Sequence, residues 1–216
     1  MALQDWPRWI RGPLCRIGFM RRWLVGREVF AAYPPDHTPK LCCVLDYADR
    51  LELTELVETG TFNGLMVAGC RGSFVHIHSV ELSREHAKDT TIRFAKFPHI
   101  TIYQGNSAEV LPGILKTLVG PTLFWLDAHY SGGRSAKGPQ DTPIMMELRA
   151  IFSQPPPRFA ILIDDARHFV GKNDYPTVEE VRSLLLSYRP DWRFEVRKDI
   201  IRFVPPGDSA GKTAGA

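Results

Sequence analysis

From Leu51 onward, short and almost wholly apolar runs alternate with longer stretches whose apolar residues recur at helical spacing. Glu55-Leu56-Val57, Phe74–Val80, Ile100–Tyr103, Pro121–Leu126 and Phe159–Ile163 are rich in β-branched and aromatic residues and are bounded by Gly, Pro, Asn or Asp, which predicts strands. Helices are predicted between them, from about Asn63 to Cys70 and from an N-cap at Ser83 toward Phe97, before Pro98. Asp141-Thr142-Pro143 has the cap-then-proline form of another helix start. Thr177-Val178-Glu179-Glu180 is a capping box, opening a helix with Val181, Leu184, Leu185 and Tyr188 on its apolar side and stopping before Pro190. Such alternation builds a parallel sheet with helices on both faces. The last two apolar runs, Trp192–Val196 and Ile200–Val204, are joined by a turn too tight for a crossover, so the final strand must run antiparallel. The expectation is a three-layer α/β fold with a mostly parallel seven-stranded sheet closed by a C-terminal antiparallel hairpin.

The strand ends carry the chemistry. The first strand runs into Glu58-Thr59-Gly60-Thr61-Phe62-Asn63-Gly64, whose glycines let the backbone turn tightly and bring N–H groups toward a ligand. The second ends at Glu81, seventeen residues after Gly64, where a carboxylate could take two ribose hydroxyls. A dinucleotide fold would need Gly-x-Gly-x-x-Gly for close approach to a pyrophosphate, but Phe62 and Asn63 stand between these glycines. Glu58 would repel a pyrophosphate, whereas it can accept hydrogen bonds from an ammonium such as that of a methionine moiety. The reading is S-adenosylmethionine, held by Glu58, Thr59, Gly60, Thr61, Gly64 and Glu81. After the third strand, Gln104-Gly105-Asn106-Ser107 forms a small polar turn, with Asn106 and Ser107 placed to read a base edge.

The fourth strand ends in Asp127-Ala128-His129-Tyr130 and the fifth in Asp164-Asp165. Ligands of open α/β sheets bind outside the carboxyl ends of the strands, so Asp127, Asp164 and Asp165 should converge beside the cofactor. Carboxylates gathered without a counter-ion repel one another, and a hard cation, magnesium or manganese, relieves this with oxygen ligands. The alternative for Asp164-Asp165 is that one caps a neighbouring helix while the other pairs with Arg167. His129 is the candidate base for an acceptor hydroxyl, with His168 as its alternate; His76 and His78 fall inside a strand. Ser131–Gln140 suits a lid, in which Arg134 and Lys137 would favour an anionic acceptor if they face inward, or be solvated if they do not.

At 216 residues the chain can bury one substantial core, and its net charge of +3 is spread rather than gathered into aromatic-interleaved stripes, which argues against nucleic acid. The four cysteines show no Cys-x-x-Cys pair, so reduced thiols in a cytoplasm fit better than a zinc site. Residues 1–45 form a basic, partly amphipathic accessory segment ending in the Pro-rich linker Tyr33–Pro39; it packs on the domain or touches a membrane surface or partner. The domain is assigned to 46–206 and a disordered tail to 207–216.

Between roughly Leu51 and Pro205 the chain resembles the class I S-adenosylmethionine-dependent methyltransferases, with their Rossmann-like fold. The resemblance rests on the Glu58–Gly64 loop, Val80-Glu81, Gly105-Asn106-Ser107, Trp125-Leu126-Asp127 and the closing hairpin. Leu126-Asp127-Ala128-His129-Tyr130-Ser131 and Ile163-Asp164-Asp165 look more narrowly like the metal-assisted small-molecule O-methyltransferases, including those acting on macrolide sugars. That resemblance implies magnesium held by carboxylates at the fourth and fifth strand ends; with Asp127 and His129 as the candidate catalytic residues, the expected acceptor is a small metabolite, sugar or natural-product intermediate. The chain departs from the catechol-type pattern in following Asp165 with Ala166-Arg167 rather than presenting an Asp-Asn pair. Two other classes use the same residues: a metal-dependent hydrolase or hydroxylase that needs no methyl donor, and a non-catalytic protein that binds the nucleoside or a partner.

Overall fold

The computed structural model describes residues 37–128 and 142–207. The basic stretch Trp6–Phe30 and the tail from 208 lie outside them.

Helix α1, His37–Arg50, precedes the first strand. Then follow β1 (Glu55–Thr59), α2 (Leu65–Cys70), β2 (His76–Glu81), α3 (Arg84–Phe94), β3 (Ile100–Gln104), α4 (Ser107–Leu115) and β4 (Thr122–Leu126). The second half holds α5 (Ile144–Ser153), β5 (Phe159–Ile163), a 3-10 turn at Ala166–His168, α6 (Val178–Tyr188), β6 (Arg193–Arg197) and β7 (Ile200–Val204). One seven-stranded sheet results, in the order β3-β2-β1-β4-β5-β7-β6. The first five strands pair in parallel, while β7 runs antiparallel to both β5 and β6. This is the expected three-layer α/β architecture with its closing hairpin.

Strands β1, β4, β5 and β7 are buried along their whole length, which is why they read as unbroken apolar runs rather than alternating ones. Their side chains divide between two cores. Leu56, Leu123, Trp125, Ala160 and Leu162 join α1 and α2 on one face, whereas Val57, Phe124, Leu126, Ile161 and Ile163 join α4, α5 and α6 on the other.

The linker expectation is corrected at one end. Helix α1 begins at His37, inside the stretch read as a breaker, because Pro39 sits in the first turn, where its missing N–H is not needed. The helix runs through position 45 and buries Leu41, Val44, Tyr47 and Ala48 against the sheet. Two boundaries also move: β2 starts at His76 rather than Phe74, and α3 ends at Phe94 rather than near Phe97. Helix α5 starts at Ile144, with Pro143 in the N-cap position and no side-chain cap, whereas two other local signals act as expected. Ser83 caps α3 by accepting from the His86 N–H, and both halves of the Thr177–Glu180 capping box are made. The β6–β7 turn places Lys198 and Asp199 at φ of 49° and 63°, the left-handed pair whose twist matches that of a hairpin.

Candidate functional site

The first strand delivers Glu58 and Thr59 to the carboxyl edge of the sheet, both buried. At Gly60 the chain turns with φ +93°, and an added Cβ would lie 2.6 Å from the Asp127 carbonyl oxygen, so only glycine lets the loop press against the end of β4. The Gly60 and Thr61 N–H groups both donate to the Val80 carbonyl, at 2.9 and 3.1 Å, tying the loop to β2. Phe62 follows with φ 47°, half exposed, its ring edge-on to His86. That strained conformation turns its N–H onto Glu81 Oε2 at 2.6 Å, while the Ser83 N–H takes Glu81 Oε1 at 2.8 Å. Glu81 is thus a carboxylate fixed by two main-chain donors, with lone pairs left over on each oxygen.

Beneath it lies a chain of hydroxyls. Thr61 and Ser79 share a hydrogen bond of 2.5 Å, and the Ser79 hydroxyl donates to Glu58 Oε2. Burial pushes the Glu58 carboxyl up to about 8; the Ser79 hydroxyl opposes that shift, and the charges of Asp127 and Glu81 add to it. Without a ligand, Glu58 is therefore largely protonated at neutral pH. A cation brought next to it would draw the proton off.

Asn106 and Ser107 stand at the start of α4, where the Asn106 side chain accepts from the Ala108 N–H at 3.1 Å and Ser107 is buried. Behind them comes Glu147 of α5, which the sequence reading missed. It is 1% exposed, and burial pushes its carboxyl up to about 7, with the neighbouring Ser107 and Thr59 hydroxyls opposing the shift. A sequence signal existed: Glu147 shares the buried stripe of α5 with Ile144, Leu148 and Ile151, a place where an acid has no bland role.

Asp127, Asp164 and Asp165 do come together, each offering an oxygen within 4.8 Å of the others. Asp164 is buried at the end of β5, and its Oδ1 accepts from the Asp165 N–H at 2.8 Å. Asp165 adopts φ 52°, a left-handed conformation that a short polar side chain tolerates. Arg167 reaches Asp165 Oδ1 at 3.0 Å and also pairs with Asp199. The counter-ion of the cluster lies elsewhere in the sequence. Lys40, on α1, puts its Nζ 2.5 Å from Asp164 Oδ2 and 3.3 Å from Asp165 Oδ1. Burial works against its charge, but Asp164, Asp127 and Asp165 together hold the ammonium well above its ordinary pKa. Burial and the charges of Asp127 and Asp165 push the Asp164 carboxyl up, and Lys40 opposes them.

The donor set of three carboxylates suits magnesium or manganese by chemistry, yet two of the three already pair with this ammonium, Asp164 at 2.5 Å and Asp165 at 3.3 Å. A divalent ion on the same oxygens would stand against a fixed positive charge, an unfavourable contact at such short range. As arranged here, the residues do not fit the metal.

Of the two candidate bases, His129 lies outside the described residues, as do Arg134, Lys137 and the rest of the loop. His168 is exposed in the 3-10 turn, its ring 5.7 Å from that of Tyr175. His78 is engaged with the Tyr103 hydroxyl at 3.0 Å.

The sequence matches no family model and no curated protein. Solved structures share its fold. The O-methyltransferase TomG from Streptomyces achromogenes, involved in tomaymycin synthesis and solved with SAM, aligns with a TM-score of 0.55 at 17% identity, over 86% of this chain and 88% of that one. An O-methyltransferase from Bacillus cereus, in complex with SAH, gives 0.56 at 15% identity, over 85% and 90%. A putative caffeoyl-CoA O-methyltransferase from Staphylococcus aureus gives 0.50 at 11% identity, over 86% and 99%. The chain therefore has the Rossmann-like fold of these methyltransferases.

Proposed function

We propose that this protein is an S-adenosylmethionine-dependent methyltransferase that methylates an oxygen of a small metabolite, sugar or natural-product intermediate. The observation that carries the reading is Glu81: a carboxylate at the end of β2, fixed by the N–H groups of Phe62 and Ser83 beside the tight turn at Gly60. Two vicinal hydroxyls of a ribose match such a group, which keeps acceptor capacity on both oxygens. Glu58 lies along the same loop and suits the ammonium of the methionine moiety. Asn106 and Ser107 stand at the next strand end, where an adenine edge would lie.

A sulfonium methyl leaves behind a neutral thioether, so the donor needs little acid assistance. The task of the protein is to hold the acceptor oxygen in line with the methyl and to take its proton. Asp127 follows β4 and lies against Gly60, where it would border the donor and the acceptor in this reading. His129, two residues on, is the proposed base. Two solved structures of this fold are O-methyltransferases, which supports oxygen as the accepting atom. Magnesium or manganese, implied by the sequence resemblance, is given no step, because Lys40 already pairs with Asp164 and Asp165.

Calorimetric titration with S-adenosylhomocysteine, once with magnesium and once with a chelator, tests the reading. Micromolar binding is expected in both. No binding in either would remove the cofactor assignment and, with it, the proposed activity.

A further inference from the structure

Three carboxylates converge at the ends of β4 and β5, and the fold brings a lysine to them from the opposite end of the described chain. Lys40 reaches Asp164 Oδ2 at 2.5 Å and Asp165 Oδ1 at 3.3 Å, although Asp165 lies 125 positions further along the sequence. Its helix is not incidental to that placement. The residues around Lys40, Leu41 and Val44, are fully buried in the core, which fixes the helix axis and directs the lysine along the sheet edge. Asp164, the nearer partner, is 3% exposed, so its charge has little water to fall back on. Arg167 adds a second positive group on the outer side of Asp165.

We infer that Lys40 is the resident cation of this site, a tethered ammonium standing where a divalent metal would otherwise be bound by Asp127, Asp164 and Asp165. The lysine neutralises the carboxylates, as a metal ion would, and keeps positive potential beside the position proposed for the acceptor oxygen, where negative charge develops as the proton leaves. Unlike a metal it needs no free ion, and it is delivered only when α1 is docked. The bearing of this on methyl transfer rests on the function proposed above. The cation assignment itself rests on the geometry alone.

The test is manganese binding to the full chain, followed by electron paramagnetic resonance of free Mn2+ and by the thermal shift it produces, for the wild type and for Lys40→Met, which keeps the aliphatic stem and removes the charge. The wild type should bind Mn2+ no better than millimolar. Lys40→Met should bind it at least about tenfold more tightly, and its thermal transition should rise with Mn2+ where that of the wild type does not, because removing one charge uncovers an oxygen-rich site for another. Adding Asp164→Asn to Lys40→Met should abolish the gain. Micromolar binding by the wild type would overturn the inference. So would a folded Lys40→Met with wild-type affinity, or one that stays unfolded in millimolar Mn2+. S-adenosylhomocysteine titration of the same proteins separates the two ideas: loss of donor binding in the wild type sinks the proposed function and leaves the cation result to stand or fall by itself.

Discussion

Replacing Glu58 by Gln should separate stability from ligand binding. Glu58 is 2% exposed, and its carboxyl is pushed from 4.5 up to about 8. A group with a raised folded-state pKa contributes stability that is full below its unfolded value and is lost as pH rises to the folded one. Between those limits the unfolded chain releases a proton that the folded chain keeps, at about 1.4 kcal/mol per pH unit. The gap sets a ceiling near 5 kcal/mol, and relaxation around an ionised carboxylate would bring the real figure to roughly 2–5 kcal/mol. Glutamine has the same shape and never ionises, and its amide oxygen can still accept from Ser79. Urea denaturation of both proteins from pH 4.5 to 9 should therefore show the variant gaining on the wild type as pH rises, with the difference levelling off above about pH 8. Binding should move the other way. Glu58→Gln should weaken S-adenosylhomocysteine, whose ammonium the carboxylate is proposed to hold, by at least about tenfold. In the wild type at pH 7, binding should release a proton, visible as a calorimetric enthalpy that varies with the ionisation heat of the buffer. A stability difference that stays flat across the range would refute the claim that Glu58 is buried in its neutral form.

Three further outcomes follow from the same geometry. Glu81→Ala should weaken S-adenosylhomocysteine binding by about 1.5–3 kcal/mol, since it removes the proposed ribose acceptor and frees the Phe62 and Ser83 N–H groups; unchanged affinity by calorimetry would mean the ribose lies elsewhere. Gly60→Ala should cost roughly 2–4 kcal/mol, because its Cβ would meet the Asp127 carbonyl oxygen at 2.6 Å in a left-handed conformation, and a melting temperature within a degree of the wild type would contradict that contact. Thr177→Ala, which deletes the side-chain cap of α6, should lower stability by about 1 kcal/mol in urea without touching donor affinity, and a change in affinity would show that α6 communicates with the site.

Much of this could be read from the sequence, and the reasons are local. The central strands were visible because burial on both faces leaves no polar position to interrupt them, as in Thr122–Leu126 and Phe159–Ile163. Glu81 and Asp127 were placed by topology, since polar residues that end such runs must lie at the carboxyl edge. The capping box at Thr177 and the hairpin after Trp192 depend only on neighbours a few residues away. Lys40 was not legible for the opposite reason. A lone lysine after a proline carries no local pattern, and its partners are set by where α1 lands on a sheet not yet built when the sequence is read from that point. For Asp164 and Asp165 the residues posed a choice between a metal and an arginine partner. Arg167 does pair with Asp165, and the larger share of the charge is met by a residue that neither option named.

The distance along the chain between Lys40 and its partners has a consequence for synthesis. Made from the N-terminus, the chain presents Lys40 about 125 residues before Asp165, which at about 5–20 residues per second is roughly 6–25 seconds on the ribosome. Throughout that interval α1 has only part of its surface to bury, and β5 arrives late because it follows four other strands of the sheet. The ion pair at the sheet edge therefore cannot close until all five parallel strands have been made. A chain stalled or cut before Phe159 would carry the Glu58–Gly64 loop and a lysine without Asp164 and Asp165, and its less firmly held α1 would be more open to a protease.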